Sequence, residues 1–140
     1  DISGEALSLA RQNACQLGVE NRIEFVNGDM LESLDNQGPF DAILSNPPYV
    51  RSTELETLQP EIRDYEPRMA LDGGSDGLAY IVPIVNIAYQ HLKPGGLLLI
   101  ECGDYHADEI LEKLAETQCY SKSEILSDLA GKKRLIKALQ

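Results

Sequence analysis

Four residues that could take part in chemistry directly follow an apolar run at 40–45. They are Asn46, Pro47, Pro48 and Tyr49. Such a run is typical of a buried parallel strand in an α/β sheet, and ligands of these sheets bind at the carboxyl ends of the strands. The two prolines exclude a helix and remove two backbone donors. The stretch therefore places two oxygen acceptors, the Asn46 side chain and the Pro47 carbonyl, at a predicted strand end.

Two fixed acceptors suit a substrate –NH2 group, which has two hydrogens to donate. A planar amide or aromatic amine is a poor nucleophile because its lone pair is delocalised, and holding both hydrogens turns that lone pair toward an electrophile. Positioning of this kind can contribute about 7–11 kcal/mol. Asn46 and Pro47 are therefore predicted to be catalytic, and Tyr49 offers a flat face to a planar group. The alternative for a Pro-Pro pair is a plain turn.

The wider sequence carries a family resemblance. Residues 45–50 resemble the motif of S-adenosylmethionine-dependent amino-methyltransferases, and residues 58–78 closely resemble the HemK/PrmC family. Further similarities lie at 1–3, 28–29, 92–96 and 128–131, so the resemblance spans essentially the whole chain. That family methylates the side-chain amide of the glutamine in the Gly-Gly-Gln loop of peptide chain release factors.

The resemblance implies a fold and a set of site residues. The fold is an α/β, Rossmann-like class I methyltransferase sheet with an antiparallel C-terminal hairpin and its first two strands missing. Asp1 matches the residue that binds the cofactor ribose, and Asp29 and Met30 match the pair beside the adenine. Asn46 matches a residue shared by cofactor and substrate. The implied substrate-binding set is Asn46, Pro47, Pro48 and Tyr49.

The sequence contains no G-x-G-x-x-G loop after a strand, and the glycine-rich stretch at 73–77 lacks the preceding buried strand that such a loop needs. The family places its glycine loop before the residue that matches Asp1. We therefore interpret residues 1–140 as the C-terminal part of a single catalytic domain, inactive alone. We expect weak or no S-adenosylmethionine affinity for the 140-residue chain. Calorimetry that detects tight binding would contradict this expectation.

Two predicted strands lose their neighbours in this interpretation. The segment at 23–26 corresponds to the third strand of the family's sheet, and 41–45 corresponds to the fourth. Unpaired strand edges favour association. The two segments are therefore expected either to pair directly or to recruit a second chain.

The charge balance restricts the partners. The 140 residues carry 12 basic and 23 acidic side chains, for a net charge of −11. Nucleic-acid enzymes usually present a basic face to phosphates, so a basic protein loop is the more plausible partner. Three alternatives stay open: an adenine or guanine amino-methyltransferase, a glutamine methyltransferase of a ribosomal protein, and a non-catalytic remnant.

Cysteine use and hydropathy bear on the cellular setting. Cys15, Cys102 and Cys119 are odd in number and widely spaced, which indicates reduced thiols, a cytoplasmic location and no metal site. No apolar run approaches the roughly 18 residues of a membrane span.

The remaining elements follow from periodicity and capping signals. Ser3 is predicted to cap a helix that ends near Leu17, and a second helix is predicted from Asp76 to His91 with a kink at Pro83. We also predict a strand at 97–102, a helix at 108–116 and a hairpin of 122–127 with 133–138. Residues 50–75 are either a substrate-facing loop or a solvated one. Glu101, at a strand end, is given an orienting role.

Overall fold

A computed structural model describes residues 1–30, 34 and 37–140. The chain forms two compact units, Asp1–Gly38 and Pro39–Gln140. The prediction of an irregular loop or short helix at 30–37 lies mostly outside the described residues. No helix within the described ranges has the length and hydrophobicity to cross a membrane.

The first unit is built around helix α1, Gly4–Gln16. Ser3 caps it as predicted, since its hydroxyl oxygen accepts a hydrogen bond from the Ala6 amide at 3.1 Å. Leu7 and Ala14 are buried. Leu17, near which the helix is predicted to end, is 76% exposed, because it is the C-terminal cap residue and has left the helical face.

The strand predicted at 23–26 is wrong. This segment pairs with no strand of the described chain. The α-amino group of Asp1 donates to the Val26 carbonyl at 3.0 Å, and the Arg11 guanidinium donates to the Phe25 carbonyl at 3.5 Å. A strand exists only with a hydrogen-bonded partner, and here side-chain and terminal groups supply the donors instead.

The second unit contains a sheet of four strands among the described residues, in the order β1-β2-β4-β3. The strands are β1 Phe40–Ser45, β2 Leu92–Glu101, β3 Lys122–Ser127 and β4 Lys133–Leu139. Strands β1 and β2 are parallel, whereas β4 is antiparallel to both β2 and β3. The α/β class and the antiparallel C-terminal hairpin are thus confirmed.

Strand β1 lies at an edge of this sheet, and the prediction that it is buried is wrong. Asp41, Ala42 and Leu44 are exposed, with Leu44 at 68%. The reason is the edge position: β1 pairs only with β2 among the described strands, so the apolar pattern of an interior strand is left uncovered.

Three helices complete the second unit: α2 Pro60–Arg63, α3 Ile81–Ile87 and α4 Ala107–Thr117. The apolar core joins α3 and α4 to the sheet, whereas α2 has no buried residue. Its largest fully buried aliphatic side chains are Ile81, Val85, Leu98, Ile100, Ile110, Leu114 and Ile136. The core thus fixes β2, whose carboxyl end carries part of the site described below.

Helix α3 begins later than predicted. The Asp76 carboxylate accepts a hydrogen bond from the Leu78 amide at 2.9 Å, and Gly77 has φ +79°, so this segment forms a side-chain turn instead of a helical one. Pro83 then falls in the first turn of α3, where no backbone donor is lost. The predicted kink is therefore not needed.

Candidate functional site

The stretch 46–49 leaves the carboxyl end of β1, as predicted. Ser45 pairs with Ile100 in the parallel register, so Asn46 and Glu101 follow at the same end of two neighbouring strands. This is the edge at which α/β sheets bind ligands.

The two predicted acceptors have no hydrogen-bond partner among the residues that the structure describes. Asn46 is exposed, and its amide makes no hydrogen bond to any residue of the described ranges. Pro47 is buried, and within the same ranges no donor reaches its carbonyl. A carbonyl without a donor is uncommon in a buried residue. Both oxygens are therefore candidates for hydrogen bonds from a ligand.

Residues 50–75 fold back onto this stretch. The Val50 amide donates to the Leu71 carbonyl at 2.9 Å, and the Gly73 amide donates to the Val50 carbonyl at 2.8 Å. The Ser52 amide donates to the Gly74 carbonyl at 2.9 Å. Short helical turns lie between these contacts, including one at Leu55–Thr57. The segment is thus an organised loop anchored at both ends, and its contact with a substrate stays a prediction.

Two glycines support the backbone of the predicted motif. A Cβ atom added to Gly73 would lie 2.7 Å from the Tyr49 Cα and 2.8 Å from the Pro48 carbonyl oxygen. One added to Gly77 would lie 2.5 Å from the Tyr49 carbonyl oxygen. This glycine-rich stretch does not have the phosphate-loop pattern, so its glycines serve another purpose. Its density of glycine was the available signal, and the structure shows that close packing is what needs it.

Asp72, near the end of this loop, is held in place by three groups. The Asp72 carboxylate accepts hydrogen bonds from the Ser52 hydroxyl at 2.6 Å and from the Gly74 amide at 3.0 Å. The Ser52 bond is the main reason that the pKa of Asp72 lies below its usual value, with Gly74 and the charge of Arg68 adding to it. Asp72 therefore acts as an ionised brace between the two ends of the loop.

An open cavity of about 480 Å³ lies beside this brace. Its lining combines apolar and charged side chains: Ser52, Arg68, Met69, Asp72, Gly74, Ala79 and Tyr80. Arg68 lies 3.7 Å from the Glu56 carboxylate and 3.6 Å from that of Asp72, so its charge is already shared between two exposed or half-exposed partners.

Tyr49 is tied to the neighbouring strand. Its hydroxyl donates to the Glu101 carboxylate at 3.2 Å, so Glu101 has the orienting contact expected of it. Burial is the main cause that raises the pKa of Tyr49 above its usual value, and the charge and hydrogen bond of Glu101 add to it. The phenol therefore stays protonated, and donates, to a higher pH than a free tyrosine.

Replacing Glu101 with Gln should lower the pKa of Tyr49, because the neighbouring negative charge is removed while burial stays. Because the pKa of Tyr49 is higher in the folded than in the unfolded protein, the protonated phenol stabilises the fold. This stabilisation is fully present below the unfolded-state pKa of about 10 and is lost as the pH rises through the folded-state pKa. NMR titration of the Tyr49 ring would measure the change, with Tyr120 as an internal control because burial raises its pKa and neither Glu101 nor Tyr49 contributes. An unchanged Tyr49 titration would contradict the contact.

The predicted cofactor residues lie in the first unit, except for Asn46. Asp1 is exposed, its carboxylate accepts a hydrogen bond from the Ser3 amide at 2.8 Å, and its carbonyl accepts from the Gly28 amide at 3.2 Å. The structure therefore brings Asp1 beside the segment that leads into Asp29 and Met30. Asp29 is exposed and Met30 is half-buried. Exposed carboxylates fit ribose hydroxyls and a thioether fits an adenine face, so these residues suit the implied cofactor.

The three cysteines are free thiols. Burial raises the pKa of Cys102, which follows β2, to about 11. Within the described part of the chain, no three His, Cys, Asp or Glu residues cluster as a metal site would require.

Comparison with known proteins identifies relatives of the chain. It is 46% identical over 112 residues to a release factor glutamine methyltransferase of Geobacter sulfurreducens, covering 80% of this chain and 38% of that protein. It is 37% identical over 141 residues to one of Clostridium acetobutylicum, covering 100% of this chain and 49% of the relative. These similarities confirm the resemblance to the HemK/PrmC family. The chain spans half or less of the length of these relatives.

A solved structure and a family model agree on the fold. The structure of an rRNA methylase from Streptococcus thermophilus superposes with a TM-score of 0.60 at 19% identity, covering 100% of this chain and 70% of that one. At this identity the match concerns the fold alone. A family model described as a methyltransferase domain matches residues 1–139. The chain therefore belongs to the methyltransferase domain family.

Proposed function

We propose that the full-length enzyme carrying this chain transfers a methyl group from S-adenosylmethionine to a glutamine side-chain amide in the Gly-Gly-Gln loop of a peptide chain release factor. The relatives named as release factor glutamine methyltransferases support this substrate. One observation of the structure carries the proposal: the exposed amide of Asn46 directly follows β1, beside the Pro47 carbonyl, and neither group has a hydrogen-bond partner among the described residues.

In this mechanism the two acceptors orient the substrate amide and stabilise the charge that develops on it. The Asn46 Oδ1 atom and the Pro47 carbonyl oxygen accept the two N–H groups of the substrate amide, which orients the nitrogen lone pair. They also stabilise the positive charge that develops on the nitrogen as the new N–C bond forms. The Tyr49 ring packs on the planar amide, and Pro48 keeps the stretch rigid.

The cofactor-binding residues are proposed from the family resemblance and from the match of their side chains to ribose and adenine. Asp1 would hold the ribose hydroxyls and Asp29 and Met30 would lie beside the adenine, while Asn46 is the residue that the family resemblance assigns to both cofactor and substrate. S-adenosylmethionine, when bound, supplies an electrophilic methyl group. Because the acceptors orient the lone pair, no dedicated base is required before attack, and the proton that the methylated amide then loses can pass to water at the exposed Asn46. Glu101 acts through Tyr49.

The partners follow from the chemistry of the substrate. A release factor is a protein, and the net charge of −11 disfavours direct nucleic-acid binding. Cytoplasmic location, which the free thiols support, and self-association through the open edge of β1, which the sheet order supports, are parts of the proposal. We also propose that the 140-residue chain alone is inactive.

The direct test incubates the full-length enzyme with purified release factor and S-adenosylmethionine, and follows the Gly-Gly-Gln peptide by mass spectrometry. A gain of one methyl group on the glutamine is expected, and a release factor with that glutamine replaced should gain none. Methylation of RNA or of a ribosomal protein without methylation of the release factor would overturn the proposal in favour of those alternatives. No methyl transfer to any of them would favour a non-catalytic remnant.

A further inference from the structure

His106, which directly precedes α4, is a polar side chain inside the apolar core and is 1% exposed. Its Nε2 atom lies 2.8 Å from the Asp76 carbonyl oxygen. Because a carbonyl oxygen can only accept, Nε2 carries the hydrogen and donates it. The other ring nitrogen, Nδ1, is buried with no partner in the described part of the chain. Burial of a polar ring costs free energy, and the hydrogen bond to the Asp76 carbonyl offsets part of that cost.

The imidazole lies directly against the glycine support of the motif. A Cβ atom added to Gly77 would lie 2.4 Å from the His106 Cε1 and 2.5 Å from the Tyr49 carbonyl oxygen. The ring and the Tyr49 carbonyl oxygen therefore both face the side of Gly77 where a side chain would stand, and the three groups are packed against one another. The Tyr105 ring, 4.2 Å away between centroids, packs on His106 and limits its movement.

The support continues to Pro48 through Gly73. A Cβ atom added to Gly73 would lie 2.9 Å from the Gly77 carbonyl oxygen and 2.8 Å from that of Pro48. A shift of 76–77 would therefore be transmitted to both residues that follow the acceptor pair, because these backbones are in van der Waals contact without intervening side chains.

From this arrangement we propose that His106 is a positioning residue: by holding the Asp76 carbonyl, it fixes Gly77 and thereby the backbone of Pro48 and Tyr49 beside the acceptors. Its effect on catalysis rests on the proposed function, whereas its effect on the backbone does not. His106 touches no reacting atom in this account.

Two substitutions separate the hydrogen bond from the packing. His106→Leu keeps a side chain of similar size but removes the donor, whereas His106→Gln offers an amide N–H at a similar reach. In the full-length enzyme, His106→Leu should lower kcat for the release factor by about 10²-fold, since a 1 Å misplacement can cost that much. The KM for S-adenosylmethionine should stay unchanged, and His106→Gln should restore most of kcat. Ile110→Val, at a buried position in α4, is the control for core stability.

A second readout does not depend on activity. Amide hydrogen exchange at Val50, Ser52 and Gly73 should accelerate in His106→Leu but not in His106→Gln or Ile110→Val. In the wild-type chain, long-range ¹H–¹⁵N NMR should show a slowly exchanging hydrogen on Nε2 of His106. This last measurement needs no variant, so a failure of His106→Leu to fold leaves the proposal testable.

The outcomes distinguish this proposal from the proposed function. An unprotonated Nε2, wild-type exchange in His106→Leu, or equal defects in the Leu and Gln variants would each overturn the positioning role. A wild-type enzyme that does not methylate the release factor would overturn the proposed function, and the exchange data would still decide the role of His106.

Discussion

Replacement of Asn46 by alanine is expected to lower the rate of glutamine methylation by about 10²–10³, by analogy with the loss of one oxyanion-hole donor. The reason is that one of two acceptors that orient the substrate amide disappears. The loss should fall on kcat measured with saturating cofactor, because the contact strengthens as charge develops on the nitrogen. Kinetics of the full-length enzyme with a release factor would measure it.

Asn46→Ala should leave folding intact, which makes the kinetic result interpretable. Asn46 is exposed and holds no described residue by a hydrogen bond, so its removal should change the free energy of unfolding by no more than about 0.5 kcal/mol. Asn86→Ala, at an exposed position in α3, is the matched control and should retain the wild-type rate. An unchanged rate in Asn46→Ala would remove the basis for the acceptor pair.

The elements that the sequence predicts correctly have local signals. The Ser3 cap predicts the start of α1, and the hairpin of β3 and β4 follows from two runs of strand formers around Gly131. In that turn the Asp128 carboxylate accepts hydrogen bonds from the Ala130 and Lys132 amides, a pattern encoded within five residues. Signals of this range are visible without knowledge of the fold.

The elements that fail depend on distant partners or on local competition. The segment at 23–26 has strand propensity, but no sequence pattern shows whether a neighbouring strand is present to complete the ladder. At Asp76 the side chain competes for the backbone donor of Leu78 and delays α3. In both cases the available hydrogen-bond partner, and not the intrinsic propensity of the residues, decides the local structure.

The residues of the candidate site likewise divide into those that the sequence predicts and those that it does not. The positions of Asn46 and Glu101 at strand ends could be predicted, because both follow from the strand pattern. The support from Gly73, Gly77 and His106 could not, because these residues lie from 24 to 57 positions beyond Tyr49 and meet it only in the folded unit. Close packing of backbone on backbone leaves no pattern in the sequence except the glycines themselves.

Gly77→Ala is expected to destabilise the chain far more than Gly131→Ala, although the two glycines share nearly the same backbone conformation, with φ +79° and +80°. A non-glycine residue at such an angle costs about 1–2 kcal/mol at either position. Gly131 has no atom within 4 Å of an added Cβ, whereas at Gly77 that Cβ would overlap His106 and the Tyr49 carbonyl oxygen.

The difference between the two variants isolates the packing under Tyr49. Overpacking of a close contact adds about 1–3 kcal/mol to the loss at Gly77, and urea unfolding of the two variants would measure it. Equal losses would show that the backbone angle alone matters and that Gly77 is not wedged against Tyr49. A larger loss at Gly77, together with faster amide exchange at Val50, would place the strain beneath Tyr49, next to the oxygens that are proposed to hold the substrate amide.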